Sequence, residues 1–216
     1  MTAFADIESR AGAEYLAILG GFHPDGDPHL PDGTRTLLLI GPQAPGFWPH
    51  FHASSEYADG DPDPMDRWST RVIGALADAT GAAALFPFGG PPFLPFIGWA
   101  QATGRIHKSP VSLLVHDEQG LMTSFRGALA FPDRLDLPPP PITPCLICAA
   151  PCEDACPVDA LTEDGYDTAA CHAFLDTPAG ADCMDNGCKV RRACPVSKSH
   201  GRDPAQSAFH MRSFHP

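Results

Sequence analysis

CLICAAPCEDACP, residues 145–157, holds four of the chain's eight cysteines in thirteen positions. Thiols at this density are ligands or bridges before they are ordinary core residues. Cys145, Cys148, Cys152 and Cys156 are followed by Cys171, Cys183, Cys188 and Cys194, whereas residues 1–144 contain no cysteine at all. The chain therefore divides into a cysteine-free domain over residues 1–136, a Pro-rich linker at 137–144 (LPPPPITP), a cysteine-rich domain over 145–198 and a C-terminal tail over 199–216. The tail, with Phe209, Met211 and Phe214, is apolar enough to lie back on the protein.

Composition narrows what the thiols do. The formal charge of −12 argues against a nucleic-acid surface. The start of the chain carries Asp6, Glu8 and Glu14 and has neither a basic leader nor an unbroken apolar core, so no secretory signal is expected. No apolar run reaches the ~18 residues of a membrane helix. The expected setting is the cytoplasm, with no membrane and no nucleic acid as partner. Clustered thiols there are more often metal ligands than disulfides.

The first domain mixes helices and strands without a regular βαβ rhythm, which places it in the α+β class. The segment DIESRAGAEYLAILGGF has apolar residues at helical spacing and stops at Gly20-Gly21, predicting one helix over this stretch. RTLLLIG reads as a buried strand, and MDRWSTRVIGALADATG as an amphipathic helix ended by Gly81. AAALFPF is a further strand and FIGWAQATG a short helix. VSLLVH and LMTSFRGALAFP flank the turn DEQG and are expected to pair with each other.

Three chemistries fit the cysteine block. Thiolates are the ligands of iron–sulfur clusters, and Cys156-Pro157-Val158 is echoed by Cys194-Pro195-Val196, each preceded by three further cysteines. Proline fixes φ and lacks an N–H, which turns the chain away after the ligand. Zinc also accepts four thiolates, and Cys145–Cys148 has the short spacing of a zinc knuckle. Disulfides are the third alternative.

The duplicated pattern resembles a two-cluster bacterial ferredoxin, in which the cysteine before proline ligates the other cluster. The resemblance implies two [4Fe–4S] clusters, one on Cys145, Cys148, Cys152 and Cys194, the other on Cys171, Cys183, Cys188 and Cys156. The family's run is C-x2-C-x2-C-x3-C-P. Here AAP separates Cys148 from Cys152, MDNG separates Cys183 from Cys188, and KVRRA separates Cys188 from Cys194. Longer loops keep the ligands and alter the hydrogen bonds to sulfur that tune the potential.

Residues 64–131 resemble a second family. VIGALADATGAAALFPF, and then Val115-His116, Gly120, Phe125-Arg126-Gly127 and Ala128–Phe131, are similar to the cobalamin-processing protein of methylmalonic aciduria type C. The same region is similar to the epoxyqueuosine reductases, which join this nitroreductase-derived scaffold to a two-cluster ferredoxin module. Cys171, in CHAFL, matches a cysteine of their module. The resemblance implies a nitroreductase-like, cobalamin-processing-like mixed-sheet domain followed by a small ferredoxin-like domain. It also implies a corrinoid, or alternatively a flavin, as the bound cofactor of the first domain.

On this reading Phe93, Trp99, His116 and Arg126 are the candidate cofactor-binding residues. Each has a plainer role beside it. Phe93 and Trp99 would serve equally as core aromatics. His116 would serve as a hydrogen-bonded turn residue. Arg126, on an apolar strand, needs either a carboxylate partner or an anionic cofactor group. His50 and His52 have strand-like spacing that would bring both rings to one side as metal ligands, though no third ligand accompanies them. Lys189, Arg191 and Arg192 lie among the second group of cysteines, where positive charge would favour a reduced cluster or dock an acidic redox partner. The function expected is an iron–sulfur oxidoreductase component whose clusters pass electrons from a donor protein to a cofactor or substrate. A non-catalytic ferredoxin-type carrier and a corrinoid-trafficking chaperone are the alternatives.

Overall fold

The computed structural model describes residues 3–216; Met1 and Thr2, at the head of the leader-peptide reading, lie outside them. In chain order the elements are α1 (Phe4–Ala13), β1 (Leu16–Phe22), β2 (Thr36–Pro42), α2 (Phe47–His52), α3 (Ser55–Ala58), α4 (Pro64–Thr80), β3 (Ala83–Leu85) and α5 (Phe96–Ala102). There follow β4 (Ile106–Lys108), β5 (Leu114–His116), β6 (Gly127–Phe131), β7 (Leu161–Thr162), β8 (Gly165–Tyr166), α6 (Thr168–Leu175), α7 (Ala181–Asn186), α8 (Lys189–Ala193), α9 (Pro195–His200) and α10 (Pro204–Phe214). The class is α+β. Among the described residues no helix is long and apolar enough to cross a membrane.

The chain forms two compact units. One comprises residues 1–105 and 124–141, the other residues 106–123 and 142–216. The segment 106–123, expected in the first domain, thus belongs with the cysteines. Its apolar residues Val111, Val115 and Leu121 share a core with Leu161, Val190, Cys152 and Cys194, which is why it leaves the first unit.

The first unit is built on a four-stranded sheet in the order β1-β2-β6-β3. Every neighbouring pair is antiparallel, so the sheet is not the mixed one implied by the resemblance. The chain re-enters the sheet each time running against its hydrogen-bonded neighbour, including after the 106–123 excursion. All seven residues of β2 are buried, as its unbroken apolar run requires. Helix α4 lies over the sheet on its apolar stripe (Trp68, Val72, Ile73, Leu76, Ala77) and stops where Gly81 adopts φ 74°. A side chain at Gly127 would meet Ile73, so glycine there lets α4 approach β6 closely. The rings of Phe47 and Phe51 meet Trp68 edge-on, with centroids 5.4 and 6.0 Å away.

Two expected elements form differently. The helix over residues 7–19 ends at Ala13, and Leu16–Phe22 is a strand. Tyr15 turns the chain at φ 52°. Leu16 and Ile18 then find register opposite Pro42 and Ile40, and sheet pairing outweighs helical spacing. The expected pairing of VSLLVH with LMTSFRGALAFP does not occur either. Strand β5 pairs with β4, and β6 pairs with β2 and β3, because the two halves of that stretch belong to different units.

Candidate metal centre

Cys145 sits in a single 3₁₀ turn, Pro144–Ile147, and the Cys148 N–H donates to its carbonyl. Ala150, with φ 51°, swings the chain so that Cys152 follows on the same side. This is the AAP spacing that departs from the usual ferredoxin run. Cys194 arrives from the other end of the cysteine region, at the break between α8 and α9. Its ψ of 124° ends one helix, and Pro195 begins the next. Cys145, Cys148, Cys152 and Cys194 line a common small cavity, walled also by Val115 and Leu121.

The wall comes from the 106–123 segment, which sequence reasoning assigned elsewhere. Hydrogen bonds at Leu121 and Met122 help to hold it. The Leu121 N–H donates to Ser197 Oγ at 2.9 Å, Arg191 donates to the Leu121 carbonyl, and Arg202 donates to the Met122 carbonyl at 2.8 Å. Gly120, at φ 57°, lies so close to α9 that a Cβ would sit 2.5 Å from the Ser197 nitrogen and 3.0 Å from Cys194 Sγ. The only advance signal for this contact was a glycine in a turn.

The remaining cysteines form a second group. Cys156 Sγ accepts from the Ala160 N–H at 3.2 Å. Cys171 stands on α6, whose N-terminus is capped by Asp167 accepting from the Ala170 N–H at 2.9 Å. It lies within electrostatic reach of Cys188 and Cys156. Cys183 stands on α7 and also feels Cys188. Gly187, at φ 87°, makes the turn between the two, where a Cβ would strike Ser207 of α10.

All eight cysteines are free thiols. Burial pushes the Cys145, Cys152, Cys171 and Cys183 thiols above their ordinary value, and the charges of neighbouring cysteines push in the same direction. Thiolates held close together and partly out of water repel one another and are costly without a cation among them. The donor set therefore suits a cationic, thiolate-bound centre. Among the described residues, no three His, Cys, Asp or Glu side chains close on a point able to hold one metal ion.

The basic residues of KVRRA take different roles. Lys189 and Arg192 pair with Asp182, at 3.7 and 2.5 Å. Arg191 is half-buried and donates to the Leu121 carbonyl.

The candidate cofactor residues do not gather at one place. His116 is in the cysteine unit, 1% exposed. Its Nδ1 accepts from the N–H groups of Glu118 and Gln119 at 3.1 and 3.2 Å, the turn role open to it from sequence. Trp99 is buried in the first unit, where Nε1–H donates to Asp27 Oδ2 at 2.6 Å and its ring packs on Phe96. Arg126 donates to Asp66 Oδ1 at 3.2 Å. Burial raises the Asp66 carboxyl pKa even with the guanidinium beside it. Phe93 lies on the surface, 65% exposed. His50 and His52 are on helix α2, not a strand, so their i, i+2 spacing points them to different sides. His50 hydrogen-bonds Glu14 at 2.9 Å, and the His52 ring meets Tyr57.

No family model, curated protein or solved structure matches the chain.

Proposed function

We propose that the chain is an iron–sulfur electron-transfer protein, the redox component of an oxidoreductase. Two [4Fe–4S] clusters are held, one by Cys145, Cys148, Cys152 and Cys194, the other by Cys156, Cys171, Cys183 and Cys188. The observation that carries this reading is the cavity shared by Cys145, Cys148 and Cys152 with the sequence-distant Cys194. It is the exchange of the Cys-Pro cysteine between groups that the ferredoxin pattern implies. The two Cys-Pro endings, Cys156-Pro157 and Cys194-Pro195, favour clusters over zinc.

Clusters bound this way supply one-electron transfer. The protein's part is to hold eight thiolates, to exclude water with Val115 and Leu121, and to set the potentials through hydrogen bonds and charge. The cysteine unit is read as ferredoxin-like and the first unit as a nitroreductase-derived scaffold for a corrinoid or flavin. Electrons would come from a donor protein, in the cytoplasm. Anaerobic reconstitution with ferrous iron and sulfide tests the first part: a brown protein with broad violet-to-blue absorption is expected, and a colourless one overturns it.

A ferredoxin-type carrier without its own catalysis is the second reading, and a specific observation favours it. The polar groups of Trp99 and Arg126, candidate anchors for a cofactor, already have Asp27 and Asp66 as partners. Titration of the reconstituted protein with cob(II)alamin and with flavin separates the readings. A spectral shift on either supports the cofactor scaffold; silence with both leaves the carrier.

A further inference from the structure

The cavity that Cys145, Cys148, Cys152 and Cys194 share is also lined by Ser109. The other residues of its wall, Pro110, Val115, Leu121, Ala150 and Pro195, are apolar. Ser109 is 4% exposed. Its backbone is paired on both sides. The N–H donates to the Leu113 carbonyl at 2.8 Å, and the carbonyl accepts from the Ser112 N–H at 3.0 Å. The Ser112 hydroxyl donates to the Glu163 carbonyl at 2.8 Å and fastens this turn to the β7–β8 hairpin. The Ser109 hydroxyl differs from these groups. Its oxygen is buried and has no hydrogen-bond partner among the described residues. A hydroxyl taken out of water forfeits its hydrogen bonds there, so buried ones are as a rule paired.

We propose that the Ser109 hydroxyl donates a hydrogen bond to a sulfur of the first centre and raises that centre's reduction potential. The proposal rests on the iron–sulfur reading above. Two observations meet in it: a donor that the fold holds out of water, and four thiols on the same cavity. Reduction adds one negative charge to such a centre. A hydrogen bond to its sulfur strengthens with that charge, so the reduced form gains more than the oxidised form. The proton stays on the serine oxygen, and no bond to iron forms. Ser109 lies in the 106–123 segment, which thus gives the first centre a polar contact as well as its apolar wall.

The test is potentiometric titration of the full chain, reconstituted anaerobically and followed by electron paramagnetic resonance, with Cys194→Ser assigning the first centre's signal. Ser109→Ala removes only the hydroxyl. It is expected to lower the first centre's reduced fraction at fixed potential up to tenfold, equivalent to about 59 mV for one electron, and to leave the second centre where it was. Ser109→Thr keeps the hydroxyl and should keep the wild-type potential. A second readout is specific to the hydrogen bond. Wild type reconstituted in D2O should show an exchangeable deuteron coupled to the reduced first centre, present in Ser109→Thr and lost in Ser109→Ala. Ser109→Gly also lacks the hydroxyl and is read the same way if the alanine variant does not hold its cluster. An unchanged first centre in the hydroxyl-free variants, an equal shift in both centres, or the deuteron coupling retained without the hydroxyl overturns the proposal while the clusters stand. Failure of the wild type to assemble iron and sulfide overturns the underlying reading instead.

Discussion

Gly120 and Cys194 approach so closely that a single added Cβ on Gly120 would come within 3.0 Å of the Cys194 sulfur. The same Cβ would stand 2.5 Å from the Ser197 nitrogen. The wall of the first cysteine cavity and the start of α9 are therefore built to one another at backbone distance. Gly120→Ala is expected to destabilise the protein by about 2 kcal/mol, from a strained φ and from the displaced α9. It should also roughly halve the iron bound on reconstitution, since only the first group is disturbed. Iron analysis beside a denaturation curve checks both; full iron content with unchanged stability would contradict the close contact.

Exchange of ligands between the cysteine groups gives a paired expectation. Cys156→Ser should weaken the centre of Cys171, Cys183 and Cys188, although Cys156 is adjacent in sequence to the first three cysteines. Cys194→Ser should weaken the centre of Cys145, Cys148 and Cys152. Resonance spectra of the two reduced variants separate these outcomes. If each serine variant damages the centre nearest in sequence, the ligand sets are not exchanged.

Arg126 is 14% exposed at its side chain, and Asp66 is the carboxylate it meets. Arg126→Leu leaves that carboxylate without its cation and is expected to cost about 1–3 kcal/mol. The double replacement with Asp66→Leu should recover part of the loss. Urea unfolding of the three variants tests this, and iron content should not change in any of them.

Glu56 gives the first unit a pH dependence. The hydrogen bond from Arg71 holds its carboxyl down at about 2, from an ordinary 4.5. The folded chain then binds this proton less readily than the unfolded chain. The stabilisation is complete above the ordinary value and is lost as pH falls through the interval toward 2. The urea midpoint of wild type should exceed that of Glu56→Gln at neutral pH, and the gap should close on acidification. A gap that is constant with pH would contradict the pairing.

What could be read in advance follows from where the determining forces are local. The α4 helix and its stop at Gly81 were legible because an apolar stripe and a left-handed cap both lie within one segment. β2 was legible as an unbroken apolar run. β1 was not, because Leu16, Ile18 and Leu19 satisfy helical and strand spacing alike, and only pairing with β2 decides between them. The cysteines could be read as a ligand pattern from their spacing alone. The residues around them were hidden, because Leu121 reaches Ser197 through folding that no local pattern encodes. His116 and Arg126 were visible as polar residues in apolar surroundings. Their roles waited on the turn amides and on Asp66.

The most direct test of the central claim is the metal and sulfide content of the anaerobically purified and reconstituted protein. The two-cluster assignment predicts iron and acid-labile sulfide in equal amounts, both falling by half in Cys194→Ser, with negligible zinc. Stoichiometric zinc without sulfide would contradict it.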